Sequence, residues 1–174
     1  MKQIPLFKVY MDKKAIDESS KVLSSGYITQ GPVVENFEEK LKSFFNEELI
    51  TTTNSATSAL HLVMHMLKNN GLGPEKIKID TKKDHILTTP LTCTATNWPI
   101  LLNNINLRWV DVDKSNCNMD LDDLESKLNE NTKAVLLVHW GGFPINLNKL
   151  KKIQEDFNNR YGFKFVIIED CAHA

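Results

Sequence analysis

The chain has 174 residues, long enough for a full domain with a sizeable core. Its formal charge of −1 is spread along the sequence and lysine outnumbers arginine 19 to 2, which argues against an electrostatic grip on nucleic acid or an anionic membrane. No stretch approaches the roughly 18 apolar residues that span a bilayer, and "MKQIPLFKVYMDKK" lacks a signal-peptide core, so a cytoplasmic protein is expected; Cys93, Cys117 and Cys171 match no metal spacing and read as reduced thiols.

After a short lead, "MDKKAIDESSKVLSSG" carries apolar residues at helical spacing and places Gly26 where a C-cap belongs. "GPVVENFEEKLKSFF" puts Pro32 at a helix start, with Phe37, Leu41 and Phe44 on one stripe. The pattern then changes to short β-branched runs, each leading into a helical segment. "ELITTT" precedes "ATSALHLVMHMLKNNG", "HILTTP" precedes "TATNWPILLNN", and "LRWVDVD" precedes "DLDDLESKL". "KAVLLVH" precedes "NLNKLKKIQEDF", and "FKFVIIE" comes last. These alternations predict an α/β fold, a mainly parallel sheet with helices on both faces. The strands lack period-two alternation, as expected when both faces are covered. The stretch "GLGPEKIKIDTKKDH" reads as loop.

In open parallel sheets, ligands sit beyond the C-terminal ends of the strands. The predicted exits there are polar: Asn54, Ser55 and Thr57 after "ELITTT", Thr88, Thr89 and Thr92 after "HIL", His139 after "VLLV", and Asp170 and His173 after "VIIE". "TTTNSATSAL" opens a helix through small residues, so free amides and the hydroxyls of Thr57 and Ser58 could hold a phosphate. The alternative is an ordinary N-cap by Asn54 or Ser55. Asp170 ends an apolar strand, so a buried carboxylate with a cation or several donors beside it is expected; a turn aspartate is the other reading. His173 is either a donor to a ligand or a structural histidine. His61 and His65 share a helix face without the glutamate of a zinc-protease motif, and no metal site is expected. His139 is expected to position the glycine turn that follows it. Asp111, Asp113, Asp122 and Asp123 read as strand-end and first-turn acids with a structural role.

"GYITQGPVVENFEEKL", "NSATSALHL", "TTPLTCTATNWPIL", "VDVD", "TKAVLLVHWGG" and "IIEDCAHA" occur in an order that resembles the DegT/StrS family of nucleotide-sugar aminotransferases, over nearly the whole chain. The resemblance implies the large domain of a fold type I pyridoxal-phosphate transferase of the aspartate aminotransferase superfamily. On that basis residues 1–46 form an N-terminal helical segment and residues 47–174 the N-terminal part of the cofactor-binding domain. It implies that Thr57 and Ser58 hold the phosphate of pyridoxal 5'-phosphate. Asp170 would pair with the pyridine nitrogen, and His173 would lie near the phenolic oxygen. Cys93 occupies a position where many members place an aromatic ring against the pyridine, and a thiol offers less stacking area. Glu169 would point away from the cofactor. Tyr27 and Thr29 would lie near the substrate or a second subunit of a homodimer.

The implied reaction transfers an amino group from glutamate to a nucleotide-linked keto-sugar. The family's Schiff-base lysine belongs beyond "EDCAHA", so no catalytic residue is assigned here. The sheet is also incomplete by the family's pattern. The chain is therefore expected to be the N-terminal part of a longer enzyme, inactive in transamination by itself. A sugar dehydratase of the same family and a noncatalytic α/β binding module remain alternatives. An unrelated sugar-nucleotide enzyme is disfavoured because the first strand-turn-helix lacks GxGxxG.

Overall fold

A computed structural model describes residues 8–174; the first seven residues of the N-terminal lead lie outside it. The chain divides into two units, Met1–Thr52 and Thr53–Ala174.

In the first unit, α1 (Lys13–Ser25) starts at Asp12, whose carboxylate accepts from the Lys14 amide. It stops at Gly26, where φ of 74° is cheap only for a residue without a Cβ. Helix α2 (Pro32–Phe45) begins with Pro32 in its first turn, where a missing N–H costs nothing. Neither helix buries a side chain: Ile16, Leu23, Val33, Phe37 and Phe44 stay exposed along their apolar stripes.

The second unit is an α/β layer structure. Helix α3 (Ala56–Asn69) is followed by β1 (His85–Thr88), α4 (Thr94–Leu102), β2 (Asn106–Trp109), α5 (Leu121–Lys127) and β3 (Thr132–Val138). A 3-10 turn (Trp140–Gly142), α6 (Leu147–Tyr161) and β4 (Val166–Asp170) complete it. The four strands form one parallel sheet in the order β2-β1-β3-β4. In the β3–β4 register, Leu137 lies beside Glu169 and Val138 beside Asp170.

Two cores confirm that helices cover both faces. Leu87, Val135 and Leu137 pack with Leu124 of α5 and Leu150, Ile153 and Phe157 of α6. Ile86, Ala134 and Leu136 pack with Leu60, Met64 and Leu67 of α3 and Ile100 of α4. Neighbours along β1 and β3 thus turn to opposite faces and are buried on both, so the strands read as continuous apolar runs.

One predicted strand is absent. "ELITTT" forms no ladder, so among the described residues the sheet has four strands where the sequence pattern predicts five. A strand needs a neighbour for its amides. Instead the Thr52 N–H and hydroxyl both donate to the Glu38 carboxylate at 2.7 Å, and Leu49 is 91% exposed. The loop reading of residues 71–85 holds, apart from a bridge between Leu72 and Ile77 and the first residue of β1.

Candidate active site

All four strands run the same way, so the exits of β1, β3 and β4 share one edge, with the β1/β3 pair at the point where the strand order reverses. Asp170 closes β4 and is 8% exposed. Its Oδ2 accepts the Thr96 hydroxyl at 2.7 Å and its Oδ1 accepts the Ala172 amide at 3.1 Å. Because Thr96 gives its proton to Asp170, the hydroxyl contact between Thr92 and Thr96, at 2.8 Å, must be donated by Thr92. The donors are neutral, and both readings of Asp170 are realised: Thr96 is a donor to a buried carboxylate, and the bond from Ala172, two residues on, is that of a turn aspartate; among the described residues it forms no ion pair.

Thr96 was not among the sequence candidates. It lies in the first turn of α4, four residues after Thr92 in the loop before the helix, and that spacing is the available signal. The start of α4 is tied to the β1 exit as well: the Thr88 hydroxyl donates to Asn97 Oδ1 at 2.8 Å, and Asn97 Nδ2 donates to the Thr89 carbonyl at 3.0 Å. Cys93 is the N-cap residue of α4, solvent-exposed, with no side-chain capping bond.

Glu169 turns to the other side of β4, as strand alternation requires, and its Oε2 lies 2.8 Å from His139 Nε2. His139 is buried and its Nδ1 accepts the Ile145 amide at 3.2 Å, so its ring bridges the segment that contains the glycine turn, and its carbonyl accepts the Gly142 amide at 3.1 Å. His173 is exposed, with Nδ1 accepting the Gly141 amide at 3.2 Å. The Cys171 thiol is pushed up from its ordinary value, by burial first and then by the charges of Glu169 and Asp170.

At the start of α3 the N-cap is Ser55, whose Oγ accepts the Ser58 amide at 3.1 Å and donates to Ser58 Oγ at 3.0 Å. The capping alternative is therefore realised by Ser55, which takes up the Ser58 amide. The amides of Ala56 and Thr57, which precede any intrahelical bond, have no partner among the described residues. Helices α3 and α4 pack on the same face of the sheet, but no hydrogen bond links Thr57 or Ser58 to Asp170 or His173 among the described residues. In the first unit, Tyr27 and Thr29 line an apolar hollow with Ile28, Pro32 and Val33. The Tyr27 ring lies against Gly31 so closely that a Cβ there would come within 2.1 Å of it.

Asp111, Asp113, Asp122 and Asp123 are structural as expected. Asp123 accepts the Asp111 amide and pairs with Lys127, Asp113 accepts from Ser115, and Asp122 pairs with Lys149 across to α6. No cluster of metal-ligating side chains occurs among the described residues.

A polar strand-exit edge around a buried carboxylate gives the second unit the architecture of open parallel α/β folds, in which the ends of the strands are where ligands are generally held. The chain belongs to the DegT/DnrJ/EryC1/StrS aminotransferase family, whose pattern matches residues 9–174. It is 32% identical over 171 residues to UDP-4-amino-4-deoxy-L-arabinose–oxoglutarate aminotransferase of Shewanella sediminis, covering 98% of this chain and 40% of that protein. The sugar aminotransferase CalS13 of Micromonospora echinospora superposes with a TM-score of 0.85 at 38% identity, over 98% of this chain and 43% of that one. Spr1654 of Streptococcus pneumoniae, in its pyridoxamine-phosphate form, gives 0.78 at 27% identity, over 99% and 43%. The chain thus spans 40% of the length of the first curated relatives it matches.

Proposed function

We propose that the chain is the N-terminal, cofactor-holding part of a pyridoxal-phosphate-dependent aminotransferase that moves an amino group from glutamate to a nucleotide-linked keto-sugar. One observation carries the reading: Asp170 is buried at a strand exit, with one hydroxyl and one amide as donors and no cation among the described residues. A carboxylate in that setting gains from one further, cationic N–H, and a protonated pyridine nitrogen supplies it. The other residues fit the same group. The unpartnered Ala56 and Thr57 amides sit at the positive end of α3, with the Thr57 and Ser58 hydroxyls beside them, as a phosphate requires.

Bound there, pyridoxal phosphate supplies the electron sink that accepts the electrons left when a substrate Cα proton departs. Asp170 would hold the proton on the pyridine nitrogen, and Thr96 with the Ala172 amide would keep its carboxylate aimed. Cys93 would face the ring and His173 the phenolic oxygen. Oxoglutarate in the Shewanella relative's name supports glutamate as donor, and the UDP-sugar in it supports a nucleotide-linked substrate. Tyr27 and Thr29 would meet that substrate. The uncovered stripes of α1 and α2 support a second subunit as partner, giving a homodimer. No described helix is long and apolar enough to cross a membrane, and the reading places the enzyme in the cytoplasm.

The test is titration with pyridoxal phosphate followed by absorbance, for the wild type, Asp170→Ala and the double variant Thr57→Val/Ser58→Ala. The expected result is binding weakened at least about tenfold in each variant, about 1.4 kcal/mol. Equal affinity in Asp170→Ala would remove the reading. Loss of a sugar hydroxyl without gain of nitrogen, in the longer enzyme, would move it to the dehydratase.

A further inference from the structure

His139, Glu169 and the Trp140–Gly142 turn have no part in holding the cofactor above, yet they form one connected set that ends on His173. The ring of His139 is buried, and its Nδ1 accepts the Ile145 amide at 3.2 Å. An amide can only donate, so Nδ1 carries no proton and the ring proton sits on Nε2, 2.8 Å from Glu169 Oε2. The contact is a charge-assisted hydrogen bond from a neutral ring rather than an ion pair. The turn is braced on its other flank by the buried Asn118, whose Oδ1 accepts the Trp140 amide and whose Nδ2 donates to the Phe143 carbonyl, each at 2.9 Å.

The braced turn then receives the last residues of the chain. The Gly141 amide donates to His173 Nδ1 at 3.2 Å, and the Trp140 ring meets the His173 ring edge-on with centroids 5.7 Å apart. Gly142, at φ of 79°, lies so close that a Cβ there would come within 2.6 Å of the His173 carbonyl oxygen. With Nδ1 occupied by an incoming N–H, His173 is left with its proton on Nε2, which has no partner among the described residues. The opposite tautomer would set N–H against N–H and lose the Gly141 bond.

We infer that His139 and Glu169 are positioning residues that, through the Trp140–Gly142 turn, fix His173 as an Nε2–H donor. The inference rests on the proposed function only for what that proton meets, the phenolic oxygen of the cofactor; the tautomer itself needs no cofactor. The experiment is therefore a long-range 1H–15N spectrum of the full chain carrying 15N-histidine, recorded without pyridoxal phosphate, with rings assigned by single His→Gln variants. Nδ1 of both His139 and His173 should show the signature of an unprotonated acceptor. In Glu169→Ala the His173 nitrogens should move toward a tautomer average, and Glu169→Gln, which keeps an acceptor oxygen, should restore them. A wild-type His173 protonated on Nδ1, or already averaged, overturns the inference. So does a Glu169→Ala spectrum in which His139 changes and His173 does not. Failure of cofactor binding in the titration above would leave these spectra unaltered, so the two failures are separable.

Discussion

Replacing Thr96 by valine keeps the shape of a side chain that is 1% exposed and removes one oxygen. Two bonds go with it: the 2.7 Å donation to Asp170 and the 2.8 Å bond received from Thr92. A hydrogen bond to a charged acceptor contributes roughly 1.5–3 kcal/mol and a neutral one about 1. Valine recovers about 1 kcal/mol because a buried methyl needs no partner. The net loss should be about 2 kcal/mol, a fall in Tm of roughly 4–8 °C for a chain of this size. The assay is urea or thermal unfolding of the wild type, Thr96→Val, Asp170→Asn and the double variant. Because part of the loss comes from the carboxylate's missing donor, Thr96→Val should cost less in the Asp170→Asn background. Thr96→Val within about 0.5 kcal/mol of wild type, the surface-substitution range, would refute this account of Asp170.

Three further outcomes are expected. Phe157→Ala removes the ring that meets Tyr161, Phe163 and Phe165 at centroid distances of 4.7, 5.2 and 5.1 Å, and should cost about 3–5 kcal/mol in urea unfolding; a loss under about 1 kcal/mol would mean the cluster repacks. His85 is held below its ordinary value of 6.5, by burial first and by the Arg108 charge next, with Asp84 opposing and Lys133 adding. The unfolded chain therefore takes up this proton first, so stability present above pH 6.5 should decline as the pH falls through the folded value, and His85→Gln should flatten that decline; parallel curves would rule it out. Asp123 is held below 3.8 by the Asp111 amide and then by Lys127, so the deficit of Asp123→Asn should be full at neutral pH and shrink as the pH falls through the folded value. A deficit that persists undiminished in acid would assign the effect to shape instead of charge.

Helices α1 and α2 carry apolar stripes with no buried side chain, so burial contributes little to them among the described residues. Strand β4 is an edge of the sheet, paired with β3 alone among the described residues, and its Val166 and Ile167 are half-buried.

Local chemistry made much of this legible from sequence alone. Gly26 and Pro32 mark helix ends because a positive φ and a missing N–H are properties of single residues. "HILT" and "AVLLV" read as buried strands because continuous apolar runs suit a sheet covered on both faces. Asp170 stood out because a carboxylate closing such a run must find partners. Which partners it finds was settled only by the tertiary structure. Thr96 lies 74 positions away along the chain, His139 meets Glu169 across 30, and Gly141 meets His173 across 32. These pairs follow from strand order and register, which no local window contains. The same dependence explains "ELITTT", whose composition is that of a strand but whose Thr52 amide found Glu38 in place of a neighbouring strand. Propensity is written residue by residue, whereas a ladder exists only where a second strand arrives beside the first.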